Sequence, residues 1–290
     1  MGRYKKFIGL GIAGNFALHL DQAGEAEDFK DVVTKDENAP KGVFPFYLPK
    51  PTSDVSLVNL KVNKQLFTYP LSGHYIKKPL NKNLNIQAEP EVVLVCRFEY
   101  GVGGKLKKIT PTHFAAYNDC SIRVKGAKKI SDKKNWGENS KGISDTLLEI
   151  DTFSEGGVMD NYSICSYLKR DGKIYEYGED AKLTGYSYFY EQLLDWLVEQ
   201  IDTQEDSGPL EPIEEYLLGC ELPQEALISI GATRYTEFGE NTFLQEGDEF
   251  SVIVYDHTLY SLDDVKAEIS KEKPEHTKEG MSILVQKVID

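Results

Sequence analysis

The chain has 290 residues, enough to bury a substantial core, and its 47 acidic against 33 basic side chains give a formal charge of −14. That balance excludes the basic stripe a nucleic-acid partner needs, and it repels an anionic substrate at long range unless a site carries its own cation. Four cysteines without a CxxC pair predict reduced thiols in a cytoplasmic protein, and 17 Tyr and 13 Phe beside β-branched runs favour a strand-rich fold.

At the N-terminus, Arg3, Lys5 and Lys6 precede the apolar run Phe7 to Leu20. Asn15 and His19 interrupt that run, and no small-x-small cleavage site precedes the acids at Glu25 and Glu27, so no export signal is expected. No other apolar run approaches a membrane-spanning length. The same stretch spells G-x-G-x-x-G through Gly9, Gly11 and Gly14. A dinucleotide site needs that turn between a buried strand and a helix N-terminus, whereas Phe7 and Ile8 make only a stub of a strand. No strand–helix alternation follows. A dinucleotide-binding oxidoreductase therefore stands as an alternative that rests on three glycines. Residues 36–85 are rich in Pro, Asn and Lys, with short extended pieces such as VFPFYLP, and read as loops and edge strands.

Glu89 and Glu91 stand just before the apolar run Val92 to Cys96. Strand residues two apart face the same way, so both carboxylates project together. Pro90 between them removes a backbone donor, which predicts an edge strand or a bulge. Val92 to Tyr100 is a strand ended by Gly101 to Gly104. Pro111 to Ala115 reads as a short helical turn capped by Thr110, and Ala116 to Val124, with the lone acid Asp119, reads as extended. Glu89, Glu91 and Asp119 form an oxygen-rich set that suits Mg²⁺, Mn²⁺ or Ca²⁺ better than zinc, although the same acids fit a solvated strand face. The polar stretch Lys125 to Lys141 reads as a surface loop or lid.

Further on, YSICSYLKRDGKIYEYGE is a hairpin signal with Asp171-Gly172 at the turn. Phe189, Leu193, Leu194, Trp196, Leu197 and Ile201 give a helix over 186–201 with one buried face. The acidic segment 202–215 reads as a solvated insertion. Ala226 to Ile230 and Phe250 to Tyr255 are strands, Ser261 with Asp264 caps a helix through Ile269, and Ser282 to Ile289 is a final strand.

In this order the motifs resemble the catalytic domain of the fumarylacetoacetate hydrolase superfamily. Those proteins carry Gly-Asn-aromatic-x-x-His, matched by Gly14-Asn15-Phe16 with His19, then Glu-x-Glu, matched by Glu89 and Glu91. Asn118-Asp119 with Ser121 and Arg123 follows, then Trp136 and Lys141, then Gly231 and Thr233, then Leu244 with Gly247-Asp248. The match spans roughly residues 8–255, and six motifs in order are hard to attribute to chance.

The resemblance implies a mainly β (α+β) fold, a mixed β-sandwich or roll with a few short helices, assembled as a homodimer. It implies one domain over 1–290, with 1–85 as an N-terminal lobe, 86–255 as the metal-site core and 256–290 as an extension. Glu89, Glu91 and Asp119 become ligands for Mg²⁺, Mn²⁺ or Ca²⁺, and the metal stabilises the enolate formed when a carbon–carbon bond of a small 2-oxo or β-diketo acid breaks. His19 becomes the general base and Lys141 a catalytic ammonium beside the developing oxyanion. Thr233 and Arg123 become substrate-binding, Arg123 bracing the metal strand from behind. The metal also brings the positive charge this acidic protein otherwise lacks.

The chain departs from the pattern where a glutamate is expected three residues after the histidine, because that position is Gln22. Asp21 or Glu25 are the acids nearby that can replace it. The acid and glutamine expected after the arginine are absent, with Val124 and Gly126 near those places, and Trp136 to Lys141 is one residue longer than expected. These departures motivate a second reading, a family member that binds metal or ligand without turnover.

Overall fold

The computed structural model describes residues 2–17, 19–52, 62–81, 83–271 and 278–290, with Asp28 described by its backbone alone. Strands β1 (Ile8–Ala13), β2 (Gly42–Tyr47), β3 (Leu71–Ser72), β4 (Tyr75–Lys77) and β5 (Asn85–Gln87) lead to the long pair β6 (Pro90–Tyr100) and β7 (Leu106–Asn118). Then come β8 (Ser121–Arg123), β9 (Lys141–Ile143), β10 (Leu148–Glu149), β11 (Tyr162–Arg170) and β12 (Lys173–Lys182). The last three are β13 (Glu225–Ser229), β14 (Glu249–Asp256) and β15 (Met281–Ile289). Helices are short: α1 (His19–Gln22), α2 (Ser131–Lys134), α3 (Tyr190–Thr203), α4 (Ile213–Gly219), α5 (Glu237–Glu240) and α6 (Leu262–Ile269).

The larger sheet runs β2-β1-β13-β6-β7-β9-β3, with β10 also paired to β7. It is mixed, because β1 lies parallel to β13 while β6 is antiparallel to both its neighbours. A second sheet runs β12-β11-β14-β15-β4, and β5 pairs with β8 alone. Leu94, Phe114 and Ala116 of the first sheet share one apolar cluster with Ile164, Val252, Val254 and Leu284 of the second. The fold is thus a mainly β, two-sheet roll whose core lies between the sheets, as the strand-rich composition predicts.

Elements with strong patterns fall where the pattern puts them. The hairpin β11–β12 turns at Asp171 and Gly172, both at positive φ, the conformation that a tight two-residue hairpin requires. The face of α3 buries Leu193, Trp196, Leu197 and Ile201, although the helix starts at Tyr190 rather than at 186, with Phe189 as its extended N-cap. Ser261 and Asp264 close a reciprocal capping box on α6.

Four expectations are corrected. Pro111 to Ala115 is not helical, because β7 runs straight through it. Its proline sits at a register shift opposite Cys96, where a missing backbone donor is tolerated. Pro90 is on neither an edge nor a bulge, since it is the first residue of a strand flanked by β13 and β7. The stretch 125–141 is not a surface loop: it carries α2 inward, and Lys133, Lys134, Asn135, Ser140 and Lys141 are buried. The segment 202–215 is not simply solvated, for Gln204, Glu211 and Ile213 are buried and the start of α4 falls within it. The residues after 256, outside the motif resemblance, supply β15, which pairs with β14 and β4. Within 36–85 the described parts are short strands and loops as expected, and 53–61 lie outside the described residues.

Candidate metal centre

The register of β6 against β7 builds the centre. Pro90 pairs with Asn118 and Glu91 with Tyr117, so the residue after β7, Asp119, arrives opposite Glu89 and donates its backbone N–H to the Glu89 carbonyl at 2.9 Å. The two-residue period then places Glu91 on the same side as Glu89. The carboxylate oxygens of Glu89, Glu91 and Asp119 converge within 4.8 Å of one another, and all three residues are buried. Oxygens around one divalent ion at ~2.1–2.6 Å lie no more than about 4–5 Å apart, so the spacing suits such an ion. Glu89 Oε1 and both Asp119 oxygens have ammonium or guanidinium neighbours but no well-directed hydrogen bond. A hard, oxygen-only donor set with underused lone pairs fits Mg²⁺, Mn²⁺ or Ca²⁺.

The extension of β13 closes one side. Gly231, at φ 110, donates its N–H to Glu91 Oε2 at 3.1 Å, and the Thr233 N–H reaches the Pro90 carbonyl at 3.1 Å. Asn15 staples this turn to the one after β1 by donating to the carbonyls of Tyr188 and Ile230 and accepting from the Tyr188 N–H. Its motif position is thereby explained structurally, and the staple delivers His19 at the start of α1. His19 is 4% exposed, and its Nδ1 lies 2.9 Å from the Thr233 carbonyl. A carbonyl only accepts, so Nδ1 carries the proton and Nε2 is left as the acceptor. Burial pulls the imidazole pKa down to about 4, only partly offset by the Glu89 charge, so His19 is neutral at pH 7.

The Gln22 side chain hydrogen-bonds the backbone of Tyr235 rather than His19, while Asp21 is exposed. Glu25 is buried but spent on Arg123 Nη1 at 2.6 Å and Lys133 at 2.9 Å. Among the described residues no carboxylate hydrogen-bonds His19; the Thr233 carbonyl orients it. Arg123 donates to Gln87, Glu25 and Tyr235 and lies 3.0 Å from Glu89, so it braces the Glu89 strand. Lys141, fully buried on β9, lies 3.1 Å from Asp119 Oδ1 and donates to the carbonyls of Asp119 and Cys120; burial lowers its pKa. The Thr233 side chain makes only a long 3.4 Å contact with the Pro90 carbonyl.

Sequence reasoning missed Lys134. Its ammonium lies 2.7 Å from Glu89 Oε2 and 2.6 Å from Asp119 Oδ2, and 5.1 Å from the Phe44 ring centroid. With Arg123, Lys133 and Lys141 it sets four cations against Glu25, Glu89 and Asp119. The centre is not short of positive charge, contrary to the expectation that a metal must bring it. Lys134 and Arg123 hold the Glu89 carboxyl well below the usual range against the cost of burial, whereas burial and the Asp119 charge push Glu91 well above it. The signal for Lys134 was a Lys-Lys pair in a polar run, which looks the same as a solvated one.

Gly9 and Gly11 lie inside β1, not in a phosphate-binding turn. A Cβ on Gly9 would come within 2.3 Å of the Phe46 ring and one on Gly11 within 2.3 Å of Phe44, so these glycines admit aromatic rings of the neighbouring strand. With a one-turn helix after them, the dinucleotide reading fails. All four cysteines are free and buried, and among the described residues no helix is long and apolar enough to cross a membrane.

Comparison with curated proteins gives no match. A family profile described as a family of unknown function, DUF5718, matches residues 25–288. Among solved structures, a provisionally assigned HpcE protein from Mycobacterium smegmatis aligns with a TM-score of 0.53 at 15% identity, covering 97% of this chain and 74% of that one. Cg1458 with inhibitor aligns with a TM-score of 0.50 at 16% identity over 98% and 77%. A 2-keto-3-deoxy-D-arabinonate dehydratase complexed with magnesium and 2,5-dioxopentanoate aligns with a TM-score of 0.50 at 12% identity over 97% and 72%. The chain belongs to the DUF5718 family, and its fold is that of the fumarylacetoacetate hydrolase superfamily.

Proposed function

We propose that this protein is a metal-dependent enzyme that cleaves a carbon–carbon bond in a small 2-oxo or β-diketo acid. The observation that carries the reading is the convergence of Glu89, Glu91 and Asp119 within 4.8 Å beside a buried, neutral imidazole. Glu89, Glu91 and Asp119 hold the divalent ion, which when bound supplies Lewis-acid stabilisation of an enolate or oxyanion. Magnesium in the dehydratase of the same fold supports Mg²⁺ or Mn²⁺ as the ion.

His19 Nε2 is the proton acceptor, since Nδ1–H is committed to the Thr233 carbonyl and burial keeps the ring neutral. Lys141 and Arg123 act behind the carboxylates: they fix Asp119 and Glu89 and hold their charge. His19, Glu89, Glu91 and Asp119 are all buried, and the pocket beside His19, about 20 Å³, has room for one water-sized particle, so the reacting atoms are shielded from bulk water.

The decisive experiment incubates the purified chain with oxaloacetate and acylpyruvates in Mg²⁺ or Mn²⁺. Turnover that EDTA stops and Mn²⁺ restores is expected, together with a higher Tm when oxalate and metal are added jointly. Absence of a Tm shift for any metal–oxalate pair sinks the proposal. A second reading, metal or ligand binding without turnover, is favoured by Gln22 and by the Lys134 ammonium among the carboxylates. Carbon–carbon cleavage that disappears in His19→Asn rules it out.

A further inference from the structure

We propose that Lys134 is a resident counter-ion of the carboxylate centre which a divalent cation must expel, so that metal binding is coupled to withdrawal of α2. The inference rests on the metal reading above and goes beyond it. Three observations carry it.

First, the Lys134 ammonium already occupies the shared space of two prospective ligands, at 2.7 Å from Glu89 and 2.6 Å from Asp119. A divalent ion drawing on those same oxygens competes with it directly, because two cations cannot share so small a volume without strong repulsion. Second, Lys134, His19, Glu89, Glu91, Phe44 and Ile130 line a void of only about 20 Å³. That admits one particle, not an ion plus a substrate, so the space has to widen before chemistry. Third, α2 is one turn long and lines two spaces: Lys134 lines this one, and Lys133 lines an open cleft of about 570 Å³ together with Gly24, Glu25, Arg123, Lys125 and Gly126. Withdrawal of α2 joins the cleft to the carboxylates and carries Lys134 out with it.

The helix is held in place from behind by the acidic segment that the motif comparison left unexplained. Ser131 Oγ donates to Glu211 at 2.7 Å, the Ile130 N–H donates to the Pro209 carbonyl at 3.1 Å, and Lys129 donates to the carbonyls of Gly208 and Leu210. Segment 204–212 is therefore the strut that sets how firmly Lys134 is seated. Together with the Lys133–Glu25 pair and the Asn135 hydrogen bonds to the Phe46 and Thr68 carbonyls, these are polar contacts that withdrawal of α2 has to break and that can re-form when it returns.

Mn²⁺ binding to the full chain, followed by electron paramagnetic resonance, tests the inference in Lys134→Gln and in Lys133→Gln, which removes the same charge one residue away. Lys134→Gln is expected to bind Mn²⁺ about tenfold or more tightly than the parent, and Lys133→Gln clearly less so. Equal gains in the two variants reduce the effect to net charge and overturn the proposal. A second measurement needs no variant: Lys134 of the parent protein, labelled by an amine-acylating reagent and read by mass spectrometry, should be protected without metal and reactive when Mn²⁺ is saturating. Saturating Mn²⁺ with Lys134 still protected defeats this inference alone. Failure of both parent and Lys134→Gln to bind Mn²⁺ defeats the metal reading and this inference with it.

Discussion

Gln22 grips the backbone of Tyr235 at both ends: its Oε1 accepts from the Tyr235 N–H at 2.9 Å and its Nε2 donates to the Tyr235 carbonyl at 3.1 Å. The amide thereby does what a carboxylate cannot, since only an amide both donates and accepts. Tyr235 in turn donates its hydroxyl to the Ala88 carbonyl and accepts from Arg123, so Gln22 fixes a wall of the centre rather than the base. Gln22→Glu, which restores the residue the superfamily pattern has there, is expected not to raise activity. It should lower stability by about 1–3 kcal/mol at pH 7, because a charged acceptor then faces the Tyr235 carbonyl. Thermal unfolding alongside turnover checks both halves.

The three prospective ligands differ in what they do for the metal-free protein. Glu89 is paired with Arg123 and Lys134, whereas Glu91 is held above the usual carboxylate range by burial and by Asp119. Glu89→Gln leaves two buried cations short of a partner and is expected to cost about 3–5 kcal/mol. Glu91→Gln, which keeps an acceptor for the Gly231 N–H, should cost less than about 1 kcal/mol. Both should abolish Mn²⁺ binding, so denaturant titration separates their structural effects from their common effect on the metal.

His19 and Glu211 oppose one another in pH dependence. The His19 pKa falls from 6.5 to about 4 on folding, so its contribution to stability is present above pH 6.5 and lost as the pH drops through 4, on the order of 3 kcal/mol in all. Burial raises Glu211 from 4.5 to about 7, with the Ser131 hydrogen bond pulling weakly the other way. Its contribution is therefore present below pH 4.5 and lost as the pH rises through 7. Glu211→Gln is expected to flatten the alkaline fall in denaturation midpoints between pH 5 and 8, and His19→Asn the acid fall between pH 6.5 and 4. A Glu211→Gln profile that still declines towards pH 8 by the parent amount contradicts the assignment.

Gly11→Ala tests what the glycine motif is for. The added methyl meets the Phe44 ring at 2.3 Å and Ser229 Oγ at 2.9 Å, and the resulting overpacking should cost about 1–3 kcal/mol. NADH fluorescence is expected to be unchanged by the parent protein and by the variant alike.

The strong local signals were legible because they need no partner to be read. Asp171-Gly172 forces a hairpin, the apolar spacing around Trp196 forces an amphipathic helix, and Glu89-x-Glu91 forces two acids onto one side of a strand. Pro111 misled because a proline in isolation reads as a turn, and only the register shift opposite Cys96 shows how a strand absorbs it.

What the sequence by itself determined is therefore the mainly β character, the strong elements and, through motif order, the candidate ligands Glu89, Glu91 and Asp119. Tertiary structure decided what those acids face. The β6–β7 register puts Asp119 against Glu89, and Asn15 brings His19 to Thr233. The strut at 204–212 turns α2 inward, so that Lys134 is seated among the carboxylates. These are long-range pairings between residues tens to hundreds of positions apart, and neither composition nor periodicity encodes them. A lysine pair in a polar run is solvated or buried according to where the chain around it is anchored.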